Sequence, residues 1–126
     1  MPLSAGIQTS PAVILFRTED ITPKQFGENP DNIIYPTGNE GNIVYACLKM
    51  PRRWVIDAME VYNATALAKC KKRLTPDLDN GYATLTGGYG HSLIRKVEKT
   101  VDGHAIYQDT NNSTNDFYEA DNCSLR

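Results

Sequence analysis

The chain has 126 residues, a formal net charge of −2 and 40% hydrophobic residues, and it contains seven tyrosines. This length fits one domain and supplies enough apolar surface for a core without metal or disulfide support. The lack of a basic excess argues against nucleic-acid binding, and no apolar stretch is long enough to predict a membrane span.

Signals for export and for metal binding are sparse. The first residues, MPLSAGIQTSPAVILF, contain no basic segment of the kind that begins a signal peptide. Cys47, Cys70 and Cys123 allow at most one disulfide, and their spacing matches no zinc site. No cofactor is therefore expected from the cysteines.

The N-terminal third of the chain shows little hydrophobic periodicity. Residues 1–11 are predicted to be a flexible lead-in, and residues 12–126 a single domain. The apolar run Ala12–Phe16 predicts a strand that is covered on both faces. The stretch Arg17–Asn42 predicts a long loop, in which Thr22 and the proline after it cap one short helical turn.

The middle of the chain carries the clearest strand pattern. A strand is predicted at Ile43–Leu48, and Trp54–Tyr62 alternates with a period of two. Asp57 then projects from an apolar face, and we expect it to bond backbone amides or an arginine rather than to act in catalysis. The one helix candidate is Asn63–Leu74, with Asn63 as its N-cap.

The C-terminal part reads as short strands separated by turns. Strands are predicted at Gly81–Thr86 and His91–Val97, with a tight turn at Gly87–Gly90 between them. Asp102 followed by glycine predicts a type I′ hairpin that joins Val97–Val101 to His104–Gln108. The whole pattern predicts a mainly β fold, an antiparallel β-sandwich with one short helix.

A polar loop near the C-terminus is the most site-like segment. Oxygen-bearing side chains at alternate positions suit a hard cation such as calcium. However, Thr114 stands where a calcium loop needs glycine, and Ala120 where it needs glutamate. The alternative is a network of Asx turns. The candidate calcium ligands are Asp109, Asn111, Ser113, Asn115 and Asp116.

The turn at Gly87–Gly90 presents two candidate ligand contacts, Tyr89 at its tip and His91 just after it. The sequence around His91 and Ser92 also partly matches the nucleophile-elbow motif of serine hydrolases. That motif requires a second glycine where this chain has Ile94, and a helix after it where a strand is predicted. A small serine hydrolase is thus a second alternative.

Several segments together resemble the C-terminal half of an uncharacterised family of bacterial surface proteins with a lamin-tail-like, immunoglobulin-type domain. The resemblance implies an immunoglobulin-like β-sandwich, placed outside the cytoplasm in secreted or lipid-anchored chains, with no established activity. Asp57, Arg95 and residues 109–116 match motif positions of that family, where a structural role is implied. The segments that carry the resemblance are PAVILFR (11–17), WVIDAMEV (54–61), KRL (72–74), DNGY (79–82), GHSLIRK (90–96) and DTNNSTNDF (109–117).

These observations predict a non-catalytic module for adhesion, spacing or ligand presentation, with a protein or glycan as partner. The alternative is a calcium-dependent carbohydrate- or protein-binding module that uses residues 109–116. Domains of this kind begin with further strands before Pro11, so the chain is expected to lack its first strands. A sheet edge exposed in that way would favour a homo-oligomer formed by edge-strand pairing. The alternative is that the long Arg17–Asn42 segment covers this edge.

Overall fold

The computed structural model describes residues 11–35, 46–87 and 90–122, of which 38% lie in strands and 21% in helices. The protein is therefore mainly β, as the sequence predicts. The described residues form two compact units, one of residues 11–14 and 57–122 and the other of residues 15–56. Residues 1–10, which contain nearly all of the predicted lead-in, lie outside the described ranges.

The smaller unit, residues 15–56, is built from short elements. Helix α1 (Pro23–Gly27) begins with a capping box, because Thr22 and Gln25 each accept a hydrogen bond from the other's backbone N–H. The helical turn predicted after Thr22 is thus confirmed. Its described residues also form two 3₁₀ turns, Pro30–Asn32 and Arg52–Trp54, and the antiparallel pair β2 (Ile33–Ile34) and β3 (Cys47–Leu48).

The described residues of the larger unit form three small sheets. Their strands are ordered β1–β4–β5, β6–β9 and β7–β8. Strand β1 ends within the smaller unit, and strand β4 begins within it. The elements are β1 (Ala12–Phe16), β4 (Val55–Asn63), β5 (Ala83–Leu85), β6 (Ser92–Arg95), β7 (Val97–Val101), β8 (His104–Tyr107), α2 (Ser113–Asp116) and β9 (Phe117–Ala120).

One strand pair differs from the predicted antiparallel arrangement. The pairs β6–β9 and β7–β8 are antiparallel, but β4 and β5 run parallel, with Val61 opposite Ala83. A parallel pair needs a long crossover, which residues 64–82 provide. A wholly antiparallel fold is therefore wrong, and β5 is an edge strand of its sheet.

The predicted helix after β4 is shorter than expected. Asn63 does act as its cap, accepting from the Thr65 N–H at 2.9 Å. The segment Ala64–Lys69 is a 3₁₀ turn interrupted at Ala66, and the backbone is extended again at Cys70. The reason lies in the tertiary structure, since the chain after Cys70 brings the Lys72 ammonium and the Arg73 N–H to the buried carboxylate of Glu60 on β4.

Two further predictions have opposite outcomes. The type I′ hairpin is confirmed, because Asp102 and Gly103 have φ of 49° and 77°. The prediction that β1 is covered on both faces is wrong, since Val13, Leu15 and Phe16 are all exposed. A continuous apolar run reflects strand propensity as well as burial, so the pattern overestimates how deeply such a strand lies.

The core of the larger unit lies on the inward face of β4. Ala58, Glu60 and Tyr62 are buried at alternate positions, as the period of two predicts. Ile56, which shares that phase, lies in the smaller unit and is exposed. A buried glutamate among inward-facing apolar residues is the unexpected feature of this face.

Candidate functional site

Glu60 is a buried acid that no sequence motif indicates. Its side chain is 0% exposed, and the Lys72 ammonium forms an ion pair with Oε2. The Arg73 N–H donates to Oε1 at 2.5 Å, and Lys72 Nζ also donates to the Gly81 carbonyl at 2.7 Å. A fully buried charge requires such partners. The sequence signal for its burial is its position, because Glu60 alternates with Ala58 and Tyr62 on the inward face of β4.

Asp79 lies next to Glu60 and is only 1% exposed. Its carboxylate accepts the N–H groups of Glu60, Gly81 and Ser113, each at 2.9 Å, and the Ser113 hydroxyl at 2.7 Å. Burial acts to raise the pKa of Asp79, but the hydrogen bonds from Ser113, Glu60 and Gly81 outweigh it and hold the pKa below its usual range.

Asp116 is the third buried acid, and it organises the polar loop. It accepts the Thr110 N–H at 2.9 Å and hydroxyl at 2.8 Å, Gln108 Nε2 at 3.1 Å and the Asn112 N–H at 3.3 Å. Burial again opposes ionisation, and the bonds from Thr110, Gln108 and Asn112 prevail, so the pKa of Asp116 is lowered.

The structure therefore places two of the candidate calcium ligands, Ser113 and Asp116, inside internal hydrogen-bond networks. Asp109 accepts the Asn111 N–H at 3.3 Å, as in an Asx turn. Asn115 is exposed. Among the described residues, no three His, Cys, Asp or Glu side chains are grouped so that they could hold a metal ion. Calcium binding by this loop stays a prediction.

Asp57 has the kind of partners that its position predicts. Its carboxylate accepts the Ala58 N–H at 2.8 Å and Arg95 Nη1 at 2.5 Å. Arg95 also lies 5.1 Å from the centre of the Phe117 ring and 3.7 Å from Asp109. These contacts join β4, β6 and β9, so both residues serve to hold the strands together.

His91 and Ser92 are directed to different partners. His91 Nδ1 lies 2.7 Å from Glu119 Oε1, whereas the Ser92 hydroxyl donates to the Asn122 carbonyl at 2.7 Å. Successive residues of a strand point to opposite faces, which separates the two side chains. The geometry thus gives no support to a serine nucleophile with His91 as its base. Tyr89, the other candidate contact, lies outside the described residues.

Glu119 collects hydrogen bonds on one oxygen. The Thr86 N–H donates to Oε1 at 3.0 Å, and the Thr86 hydroxyl and His91 bond the same atom. The Thr86 hydroxyl lowers the pKa of Glu119 most; burial opposes it, and the Thr86 N–H and His91 add to the lowering. No described residue hydrogen-bonds Oε2.

A cavity of about 230 Å³ lies beside β5. One wall includes Tyr82, whose ring stacks on Tyr62 with centres 4.1 Å apart. Its lining combines aromatic rings, hydroxyl groups and a carboxylate. Its lining residues include Tyr82, Thr84, Leu93, Phe117, Tyr118 and Glu119.

Comparison with known proteins gives a family. Within the described ranges, no helix combines the length and the apolar character that crossing a membrane requires. No curated protein and no solved structure matches the chain. The profile of the family described as "Protein of unknown function (DUF4876)" matches residues 5–124. Because this match covers nearly the whole chain, the protein belongs to the DUF4876 family.

Proposed function

We propose that the chain is a non-catalytic, immunoglobulin-like module of a secreted or cell-surface protein, which serves adhesion or ligand presentation. The observation that carries the proposal is the β7–β8 hairpin, every residue of which is exposed. Its large apolar side chains are exposed at Val97 (51%), Val101 (46%), Ile106 (40%) and Tyr107 (52%). Apolar side chains grouped on a surface are typical of contact sites for other proteins.

Both faces of this hairpin offer apolar contact. Residues that are directly opposite share a face, so Val97 and Tyr107 form one cross-strand pair. By the same alternation, Val101 and Ile106 lie on the other face. Tyrosine contributes strongly to protein interfaces, because its ring is large and rigid and its hydroxyl remains hydrated. We therefore assign Tyr107 as the main contact.

The buried acids support the non-catalytic part of the proposal. Asp79 and Asp116 each accept four hydrogen bonds from their own chain. A carboxylate saturated in this way is held ionised and turned away from solvent. It serves to fix loops, whereas a general acid or base needs a free position facing a substrate.

Binding of the purified chain to panels of matrix proteins and glycans tests this proposal. Tyr107→Glu should weaken any binding that is found by about tenfold or more, because it places a charge in the apolar pair. Thr75→Glu is the matched control, since it adds the same charge at an exposed position outside the hairpin.

Two results would overturn the proposal. The first is reproducible turnover of a simple ester or glycoside that Ser92→Ala or Asp57→Ala abolishes. The second is failure of antibodies to label the native protein on intact cells or in the culture medium, when permeabilised cells are labelled strongly. Equal binding by Tyr107→Glu and Thr75→Glu would remove the hairpin as the contact surface.

A further inference from the structure

At the centre of the outer edge of β5, one residue has backbone groups that no described residue pairs. In a parallel pair, the N–H and C=O of one residue point to the same side, and the side alternates along the strand. The Tyr82 N–H donates to Thr114 Oγ1 at 3.1 Å, and its carbonyl accepts from the same hydroxyl at 2.8 Å. The Thr86 N–H donates to Glu119 at 3.0 Å. The backbone groups of Tyr82 and Thr86 therefore point away from β4.

Thr84 lies two residues from each of them, so its N–H and C=O also point away from β4. Side-chain oxygens bond both backbone groups of Tyr82 and the N–H of Thr86, but no described residue hydrogen-bonds the backbone of Thr84 on this side. Thr84 also lines the 230 Å³ cavity and is exposed. One residue thus presents both a backbone donor and a backbone acceptor to an open site.

The chemistry that matches this pair is another extended backbone. A residue of an added strand supplies a C=O and an N–H at the spacing of the Thr84 N–H and C=O, which is how peptides bind at sheet edges. The rings of Tyr82 and Tyr118 beside it can contact an apolar side chain. The second oxygen of Glu119, which takes no hydrogen bond from a described residue, can accept from a basic one.

We propose that this cavity binds a short extended peptide segment of a partner protein, paired through its backbone to Thr84 and carrying a basic side chain that reaches Glu119. The exposed acid Asp121, 3.8 Å from His91, adds negative charge at this end of β9 and favours a basic peptide. The site shares no residue with the hairpin proposed above as a contact surface, so either proposal can fail while the other stands.

Nuclear magnetic resonance titration of the whole chain tests the proposal. The probe is a capped peptide of sequence lysine-valine-threonine-valine-lysine. We expect it to shift the Thr84 amide resonance and to slow hydrogen exchange at that amide by about tenfold or more. A peptide with glutamate in place of both lysines should bind more weakly. Alternate N–H groups of an extended peptide point to opposite edges, and only one edge would pair with Thr84. Methylation of the nitrogens on the paired edge should therefore abolish binding, whereas methylation of those on the other edge should not.

The decisive variant is Thr84→Pro, which removes the N–H that pairs with the peptide. An outward-facing position of an edge strand tolerates proline, so we expect the folded structure to persist and peptide binding to be lost. Thr84→Val is the control, since it removes only the hydroxyl and should leave affinity nearly unchanged. Unfolding midpoints of both variants verify that they are folded.

Three results would overturn the proposal. One is no shift of the Thr84 amide at millimolar peptide, and another is binding that Thr84→Pro leaves intact. The third is a Thr84 shift that grows with protein concentration in the absence of peptide, which would assign the edge to a second copy of this chain instead.

Discussion

Asp79 and Ser113 are 34 positions apart in sequence and joined by two hydrogen bonds, from the Ser113 N–H at 2.9 Å and from its hydroxyl at 2.7 Å. Ser113 is the first residue of α2, so this link fastens the polar loop to the segment that leads into β5. The same carboxylate accepts the Glu60 N–H of β4. One buried acid therefore connects three separate parts of the larger unit.

Replacing this acid should be costly. Asp79→Asn keeps the size of the side chain but turns one acceptor into a donor that faces other donors. We expect the free energy of unfolding to fall by about 2–4 kcal/mol in urea denaturation. Ser113→Ala removes a single bond and should cost roughly 1 kcal/mol. The exposed Asp20 offers a matched control, and a loss in Asp20→Asn equal to that in Asp79→Asn would contradict this assignment.

Stability should fall in acid. The pKa values of Asp79, Asp116 and Glu119 are lowered by folding, so the stability that they contribute is fully present above their unfolded pKa of about 4. It is lost as the pH falls through their folded pKa values. We expect the unfolding free energy to be level near pH 6 and to decline below about pH 4. The unfolding free energy should decline less steeply with falling pH in Asp79→Asn than in the native chain. Identical slopes would argue against the hydrogen bonds assigned to the Asp79 carboxylate.

Gly81 should not tolerate a side chain. An added Cβ would lie 2.0 Å from Asn112 Oδ1 and 2.8 Å from Thr114 Oγ1. Asn112 cannot yield freely, because its Oδ1 caps α2 by accepting the Thr114 N–H. We expect Gly81→Ala to cost about 1–3 kcal/mol of unfolding free energy.

A double-mutant cycle checks the cause of that cost. Asn112→Ala removes the obstructing atom, so Gly81→Ala should cost markedly less in that background than in the native chain. Equal costs in both backgrounds would show that contact with Asn112 is not responsible.

Calcium is expected to leave the melting temperature unchanged at millimolar concentration. Asp116 is bonded to four donors of its own loop, which a cation would have to displace. A ligand bound only by the native state raises the melting temperature, so thermal unfolding with and without calcium is the measurement. A rise that Asp109→Ala abolishes would favour the calcium-dependent binding module instead.

Local features were predictable because neighbouring residues determine them. The φ angles of Asp102 and Gly103 follow from a turn that only such residues readily form. Thr22 and Asn63 cap their segments through atoms two or three residues away. The alternation of β4 follows from strand geometry alone. In each case the energy that decides the conformation comes from a few consecutive residues.

The sequence by itself thus determined the mainly β character of the protein, its hairpin and its caps. Only the tertiary structure decided that β5 runs parallel to β4, that Glu60 is buried against Lys72, and that Thr84 lines a cavity beside β5. Each of these depends on which distant segment comes to lie beside a strand. Burial, ion pairing and strand direction are set by those long-range contacts, which no local pattern of residues encodes.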